Sequence, residues 1–196
     1  MIKIGITGGI GTGKTTICRV FELLGVPVFY ADAAAKQAMQ TDTMLIENLK
    51  AVFGSKSYTT DGVLDRRYLA GIVFGNEEQL QKLNALVHPA VFRAFDAWVE
   101  KQDSVYVIKE AALLFESQSY KDCHATILVK SPEALRIHRV ATRDHITKDE
   151  VRARMSRQWT DEEKARLADF ILNNDERQLL IPQLLTLHQR FLSGTI

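Results

Sequence analysis

Cysteine is scarce in this 196-residue chain, with only Cys18 and Cys123, far apart and without metal-ligand spacing. That excludes a cysteine-built metal site and makes a reducing cytoplasm the expected setting. Cys18 falls within a predicted helix and reads as a small buried residue. An excess of charge is missing too. The net value is +1, so no global field draws the chain to nucleic acid or to an anionic membrane. Long apolar runs are absent, and none approaches the roughly 18 residues of a membrane span. The first apolar run leads into a glycine loop and does not read as a signal peptide, so a cytoplasmic location is expected. Repeats and low-complexity segments are absent as well. So is the Asn-Lys-x-Asp motif of a guanine-specific switch, since Asn173-Asn174-Asp175 lacks the lysine.

What is present is an ordinary globular composition, 46% hydrophobic and 25% charged, at a length that suits one α/β domain with small insertions. The most informative stretch is Gly8-Gly9-Ile10-Gly11-Thr12-Gly13-Lys14-Thr15, which satisfies G-x-x-x-x-G-K-[ST] directly after the apolar run 2–6. Its glycines let successive backbone N–H groups turn inward around a phosphate. Lys14 can reach the β- and γ-phosphates, and the Thr15 hydroxyl can ligate Mg²⁺. A helix over 14–24 points its positive end at the same anion. A glycine-rich turn that binds nothing is the alternative, but strand, motif and helix in register point to a bound nucleoside triphosphate.

Alternating strands and helices predict a parallel sheet with its ligand at the carboxyl ends of the strands. Strands are expected over 2–7, 27–30, 105–108, 125–129 and 168–172. Gly25 can cap the first helix, Asp32 can cap a second, and Ser131-Pro132-Glu133 reads as the start of another, with Ser131 as cap. The stretch 41–101 shows helical periodicity over 45–53, 68–74 and 77–99, broken near Gly54-Ser55 and Asp61-Gly62. Pro89 is expected at a kink or a helix start. This stretch reads as a helical insertion, and 176–191 as a closing amphipathic helix.

Two features favour phosphoryl transfer over a switch or motor. Asp32 follows the second strand and could accept the proton of an attacking hydroxyl, although capping alone would also explain it. Arg136, Arg139, Arg143, Arg152, Arg154 and Arg157, with Lys148, form a local cationic cluster. Arg139 and Arg143 are spaced i, i+4 and share one helix face. Guanidinium groups there could stabilise charge on a transferring phosphoryl group, or could simply be solvated. Lys148-Asp149-Glu150 with Arg152 and Arg154 reads as exposed surface with local ion pairs.

Further motifs run in order along the chain: Ala31-Asp32, Gly62-Val63-Leu64-Asp65-Arg66, His88-Pro89, Leu113-Leu114-Phe115-Glu116, Arg139-Val140-Ala141-Thr142-Arg143-Asp144, Arg157-Gln158, and Ala168-Asp169 with Asn173. With the glycine loop, this ordered set resembles the dephospho-coenzyme A kinase family over nearly the whole chain. The resemblance implies a P-loop NTPase-type parallel sheet flanked by helices, with a helical acceptor-binding insertion and a helical lid. As a single domain over 1–196, it implies a core of 1–31, 102–135 and 166–196, an acceptor region of about 32–101 and a lid of about 136–165. It implies ATP and dephospho-coenzyme A as substrates, Mg²⁺ as cofactor, and no nucleic-acid or membrane partner; oligomeric state stays open.

Carried over by position, Asp32 becomes the base, with Lys14 and Arg139 beside it in catalysis. The ATP set is Gly9, Gly11, Thr12, Gly13, Lys14, Thr15, Thr16, Arg139, Arg143 and Asn173. Thr15 is the metal ligand, and Arg66 and His88 join Asp32 toward the acceptor. Three positions depart from the family pattern: Tyr30 stands where the family usually has Asp, Ala112 where it has Pro, and Arg136 where a Gln is common. Whether Glu110 assists Mg²⁺ through water stays open. Related nucleoside or nucleotide kinases share the lid logic but not the Leu64-Asp65-Arg66 and His88-Pro89 set, and an ATP-binding regulatory module would transfer nothing.

Overall fold

A computed structural model describes residues 1–196. In chain order the elements are β1 (Ile2–Thr7), α1 (Lys14–Leu23), β2 (Val28–Tyr30), α2 (Ala31–Thr41), α3 (Thr43–Phe53), α4 (Arg66–Val73) and α5 (Glu77–Val99). They continue with β3 (Tyr106–Glu110), β4 (Ala125–Lys130), α6 (Glu133–Asp144), α7 (Lys148–Met155), α8 (Asp161–Ala165), β5 (Phe170–Asn173) and α9 (Leu180–Leu192). The chain forms two compact units, one of residues 1–30 with 102–196 and the other of residues 31–101. No helix is long and apolar enough to cross a membrane.

The first unit is built on a five-stranded sheet in the order β2-β3-β1-β4-β5, with every pairing parallel. β1 lies at the centre, with Ile4 facing Ile108 of β3 and Ala125 of β4. Strands covered on both faces need apolar side chains in near-continuous runs, and β1, β3 and β4 supply them. Ile4, Ile6, Ile108, Ile127 and Val129 join Ile17 and Phe21 of α1 and Leu184 and Phe191 of α9 in one core. Phe191 is fully buried and meets Tyr106 and Phe170 edge-on, at centroid distances of 5.4 and 5.6 Å. Phe191→Ala removes both ring contacts and leaves a cavity, so it should destabilise folding by about 3–5 kcal/mol. Chemical denaturation checks this, through a lowered midpoint at an unchanged denaturant slope.

Burial also governs the two thiols. It is the main cause that pushes Cys18 far above the usual range and Cys123 up to about 11, so both stay protonated at neutral pH.

Element ends differ from the sequence expectation where a side chain is used elsewhere. α2 starts at Ala31 directly after β2, so Asp32 lies inside the first turn and does not cap it. α6 starts at Glu133 with Pro132 at the cap position. The expected cap, Ser131, instead donates its hydroxyl to the Asn174 carbonyl and accepts from Arg139. α9 starts at Leu180, later than expected, because the Asp175 carboxylate takes the N–H groups of Arg177 and Gln178 at 3.0 and 2.9 Å. Glu176, between Asp175 and Arg177, has φ +61, outside the helical region. β3 runs to Glu110, beyond the apolar stretch, and β5 begins only at Phe170 because Leu167 and Ala168 still bond back to Lys164. α7 and α8 each open on a full capping box, Thr147 with Glu150 and Thr160 with Glu163. Backbone N–H bonds hold both glutamates below the usual carboxylate range.

The second unit is helical, as its periodicity predicts, with one isolated bridge between Tyr58 and Leu64. Asp42, Asp65 and Asn76 cap α3, α4 and α5, each accepting a backbone N–H three residues on. The Leu45 N–H, and then Arg93, hold the Asp42 carboxyl below its ordinary range. Leu45, Leu49, Phe53, Leu69, Val87, Val91 and Phe95 are among its buried apolar residues. Pro89 lies inside α5 and not at its start.

Candidate functional site

At the carboxyl end of β1 the chain leaves the sheet at Thr7, crosses the glycine loop and enters α1 at Lys14. Gly11 and Gly13 have φ of +81 and +93, a region costly for residues with a Cβ. Space is short as well. A Cβ on Gly9 would lie 1.9 Å from Nη2 of Arg136, and one on Gly13 would lie 2.4 Å from Nδ2 of Asn174. Thr12 is buried, and its hydroxyl donates to the Gly9 carbonyl at 2.9 Å, so its side chain braces the loop. Thr15 and Thr16 are exposed on the first turn of α1, whose N–H groups have no partner four residues back in a helix.

Lys14 is buried, and its ammonium donates to the carbonyls of Gly8 and Gly9 at 2.7 and 3.3 Å. The cation is thus folded into the loop. A phosphate there would find a desolvated charge already in position, where it acts most strongly.

The two arginines expected to act together part company. Arg139 donates to Ser131 Oγ at 2.9 Å, reaches the Gly11 carbonyl at 3.5 Å and pairs with Glu176 at 3.0 Å. Arg143 is largely exposed and is held by its neighbour Asp144, at 2.7 and 3.2 Å. Arg154 grips the same carboxylate at 2.8 Å. Asn173 closes β5, and both its backbone polar groups are taken by Gln183. It also lines a pocket of about 490 Å³ together with Lys130, Pro132, Glu133, Trp159 and Asp161.

Three residues outside the expected nucleotide set hold the loop. Arg136 donates Nε to the Ile10 carbonyl at 3.0 Å and pairs with Asp161 at 3.2 Å. Gln158 accepts the Ile10 N–H at 2.8 Å. Asn174 donates to the Thr12 carbonyl at 2.8 Å. In the sequence Arg136 stands out only in the cationic cluster and as a departure from the family pattern, and Gln158 only in the Arg157-Gln158 motif. Nearby, the fully buried Lys164 joins Glu116 at 3.0 Å and the Ala112 carbonyl at 3.2 Å. The Leu113–Glu116 motif is thereby tied to α8.

In the helical unit, Asp32 is exposed in the first turn of α2, and Arg66 is exposed as the first residue of α4. His88 is half-buried in α5 with its ring 6.3 Å from that of Phe92.

No group of three His, Cys, Asp or Glu side chains is arranged to hold a metal ion. Oxygen donors near the carboxyl ends of the strands include the Thr15 hydroxyl, in the first turn of α1, and the carboxylate of Glu110, which lies in register with Ile6 and Tyr30. Such a sparse oxygen set fits Mg²⁺, which keeps water and substrate phosphates among its ligands.

Residues 2–179 match the protein-family model for dephospho-CoA kinase. A dephospho-CoA kinase of Salinibacter ruber is 43% identical over 178 residues, 89% of each chain. The crystal structure of TT1252 from Thermus thermophilus covers 100% of this chain and 98% of its own, at 35% identity and a TM-score of 0.84. Dephospho-CoA kinase from Campylobacter jejuni, at 24% identity, covers 99% of this chain and 98% of its own with a TM-score of 0.70, and so shares the fold. With a glycine loop closed around a buried lysine at the centre of a parallel sheet, and agreement along nearly the whole sequence, the chain belongs to the dephospho-CoA kinase family.

Proposed function

We propose that the chain transfers the γ-phosphate of ATP to the ribose 3′-hydroxyl of dephospho-coenzyme A, giving coenzyme A. Family membership supplies the reaction, an ATP-dependent phosphorylation that is the last step of coenzyme A biosynthesis. The observation that carries it to this chain's own atoms is the Lys14 ammonium, seated against the Gly8 and Gly9 carbonyls. Phosphoryl transfer asks little covalent chemistry of a protein and depends on positioning and charge. Lys14 meets the β- and γ-phosphates, while N–H groups of Gly11, Gly13, Thr15 and Thr16 take the non-bridging oxygens. Arg139 stabilises charge on the transferring group, and its contact with the Gly11 carbonyl supports that role. Thr15 would hold Mg²⁺, with Glu110 acting through water; the ion would supply charge neutralisation across the phosphates.

Asp32 accepts the proton of the attacking hydroxyl. What supports this is its exposed carboxylate two residues beyond β2, whose carboxyl end shares a sheet edge with the start of the glycine loop. Arg66 and His88 contact the acceptor, and Asn173 contacts the base of ATP. Arg143 reaches the nucleotide by leaving Asp144. The segment 136–165 acts as the lid that limits water at the γ-phosphate.

A coupled ADP-release assay with Mg-ATP tests this reading, comparing dephospho-coenzyme A with adenosine, AMP and CMP. Turnover with dephospho-coenzyme A alone, and a product heavier by one phosphate, is the expected result. Preference for a nucleotide would overturn the acceptor. Silence with every acceptor, despite ATP binding, would overturn the kinase.

A further inference from the structure

A phosphate-binding loop works only if its inward N–H groups are aimed before the ligand arrives, and glycines alone do not ensure this. Their freedom lets the loop adopt the cradle but equally lets it leave. Something outside the loop must hold it. Ile10 is the only residue between Gly8 and Gly13 that carries a large apolar side chain. It is also the residue whose two backbone polar groups are both held from outside the loop. Gln158 Oε1 accepts its N–H at 2.8 Å, and Arg136 Nε donates to its carbonyl at 3.0 Å. The Ile10 N–H is therefore already spent on Gln158.

Gln158 does more than hold one N–H. Its Nε2 lies 3.5 Å from the Ala112 carbonyl, which also accepts from Lys164 at 3.2 Å and from Thr7 Oγ1 at 3.4 Å. The two ends of the amide are told apart by these partners, since one side offers an N–H and the other a carbonyl. Next in sequence, the Trp159 N–H is fixed on Glu116 at 3.0 Å. Arg136 is anchored in turn by Asp161, both side chains being largely buried. The clamp on Ile10 thus rests on buried partners, and a glutamate, aspartate or leucine at position 158 could not make both of the Gln158 contacts.

We propose that Gln158 is a positioning residue for ATP: with Arg136 it clamps the Ile10 peptide groups and so preorganises the glycine loop for the phosphates. This rests on the reading of the chain as an ATP-dependent kinase. Gln158 touches no reacting atom and acts through Ile10. Its effect belongs to nucleotide affinity and not to the acceptor.

Gln158→Leu, close in volume but without either hydrogen-bonding end, is the test. Loss of one preorganising hydrogen bond should weaken Mg-ADP binding by calorimetry, and raise the KM for ATP, by about tenfold, while the KM for dephospho-coenzyme A stays within about twofold. Amide exchange should show the Ile10 N–H protected in the unmodified enzyme and released in the variant, with the β1 amides unchanged. Mg-ADP affinity needs no acceptor, so the clamp is tested even if the acceptor assignment falls. Unchanged Mg-ADP affinity in a folded variant overturns the proposal. So does an equal rise in both KM values, or an unprotected Ile10 N–H in the unmodified enzyme, a measurement that needs no variant to fold.

Discussion

Lys14→Ala is expected to lower kcat/KM by at least about 10²–10³-fold while far-UV circular dichroism stays unchanged. The ammonium is buried among loop carbonyls, so its charge acts where water screens little. Alanine removes that charge and also leaves the Gly8 and Gly9 carbonyls without the donor they now share, facing an anion that repels them. Both losses weigh most heavily on the transition state, in which negative charge is redistributed over the γ-phosphoryl oxygens. Steady-state kinetics over ATP concentration decides the matter. Activity near that of the unmodified enzyme would overturn the assignment of the loop as the phosphate site. Fold loss is not expected, because Lys14 is outside the apolar core that joins β1, α1 and α9.

Asp32→Asn separates chemistry from binding. Asparagine keeps the size of the side chain but cannot accept a proton from the acceptor hydroxyl, so kcat should fall by about 10²–10⁴-fold. Mg-ADP affinity, measured by calorimetry, should stay unchanged, since no nucleotide contact is assigned to this carboxylate. The cost to folding is small. Asp32 lies in the first turn of α2, where a negative charge meets the positive end of the helix, worth about 0.3–1 kcal/mol. A kcat that survives the substitution would remove Asp32 as the base. A parallel loss of nucleotide affinity would make it a binding group instead.

The two substitutions probe residues that differ in how far the sequence alone could place them. Lys14 was legible because its whole setting is local: an apolar strand, a glycine loop and a helix within the first 23 residues. The helical stretches of 41–101 were legible for the same reason, since the period of their apolar residues sets which face is buried. Where reading went astray, a local rule competed with a distant partner. Ser131 has the residue type and spacing of a helix cap, yet Asn174 and Arg139 take its hydroxyl. A turn held by Asp175 delays α9 past the expected start at Glu176.

By itself, then, the sequence determined the class of sheet, the loop that receives the phosphates, the apolar faces and the family to which the chain belongs. Each of these is written in neighbouring residues or in motifs recurring in a set order. Only the tertiary structure decided what holds the loop. Arg136, Gln158 and Asn174 reach Ile10 and Thr12 from 126, 148 and 162 residues away. No periodicity or spacing rule spans such distances. The partners meet only because β4 and β5 pair beside β1 and bring the segments that follow them to the same edge of the sheet. Hydrogen bonds depend on a few tenths of an ångström and on direction, and those are properties of the packed chain.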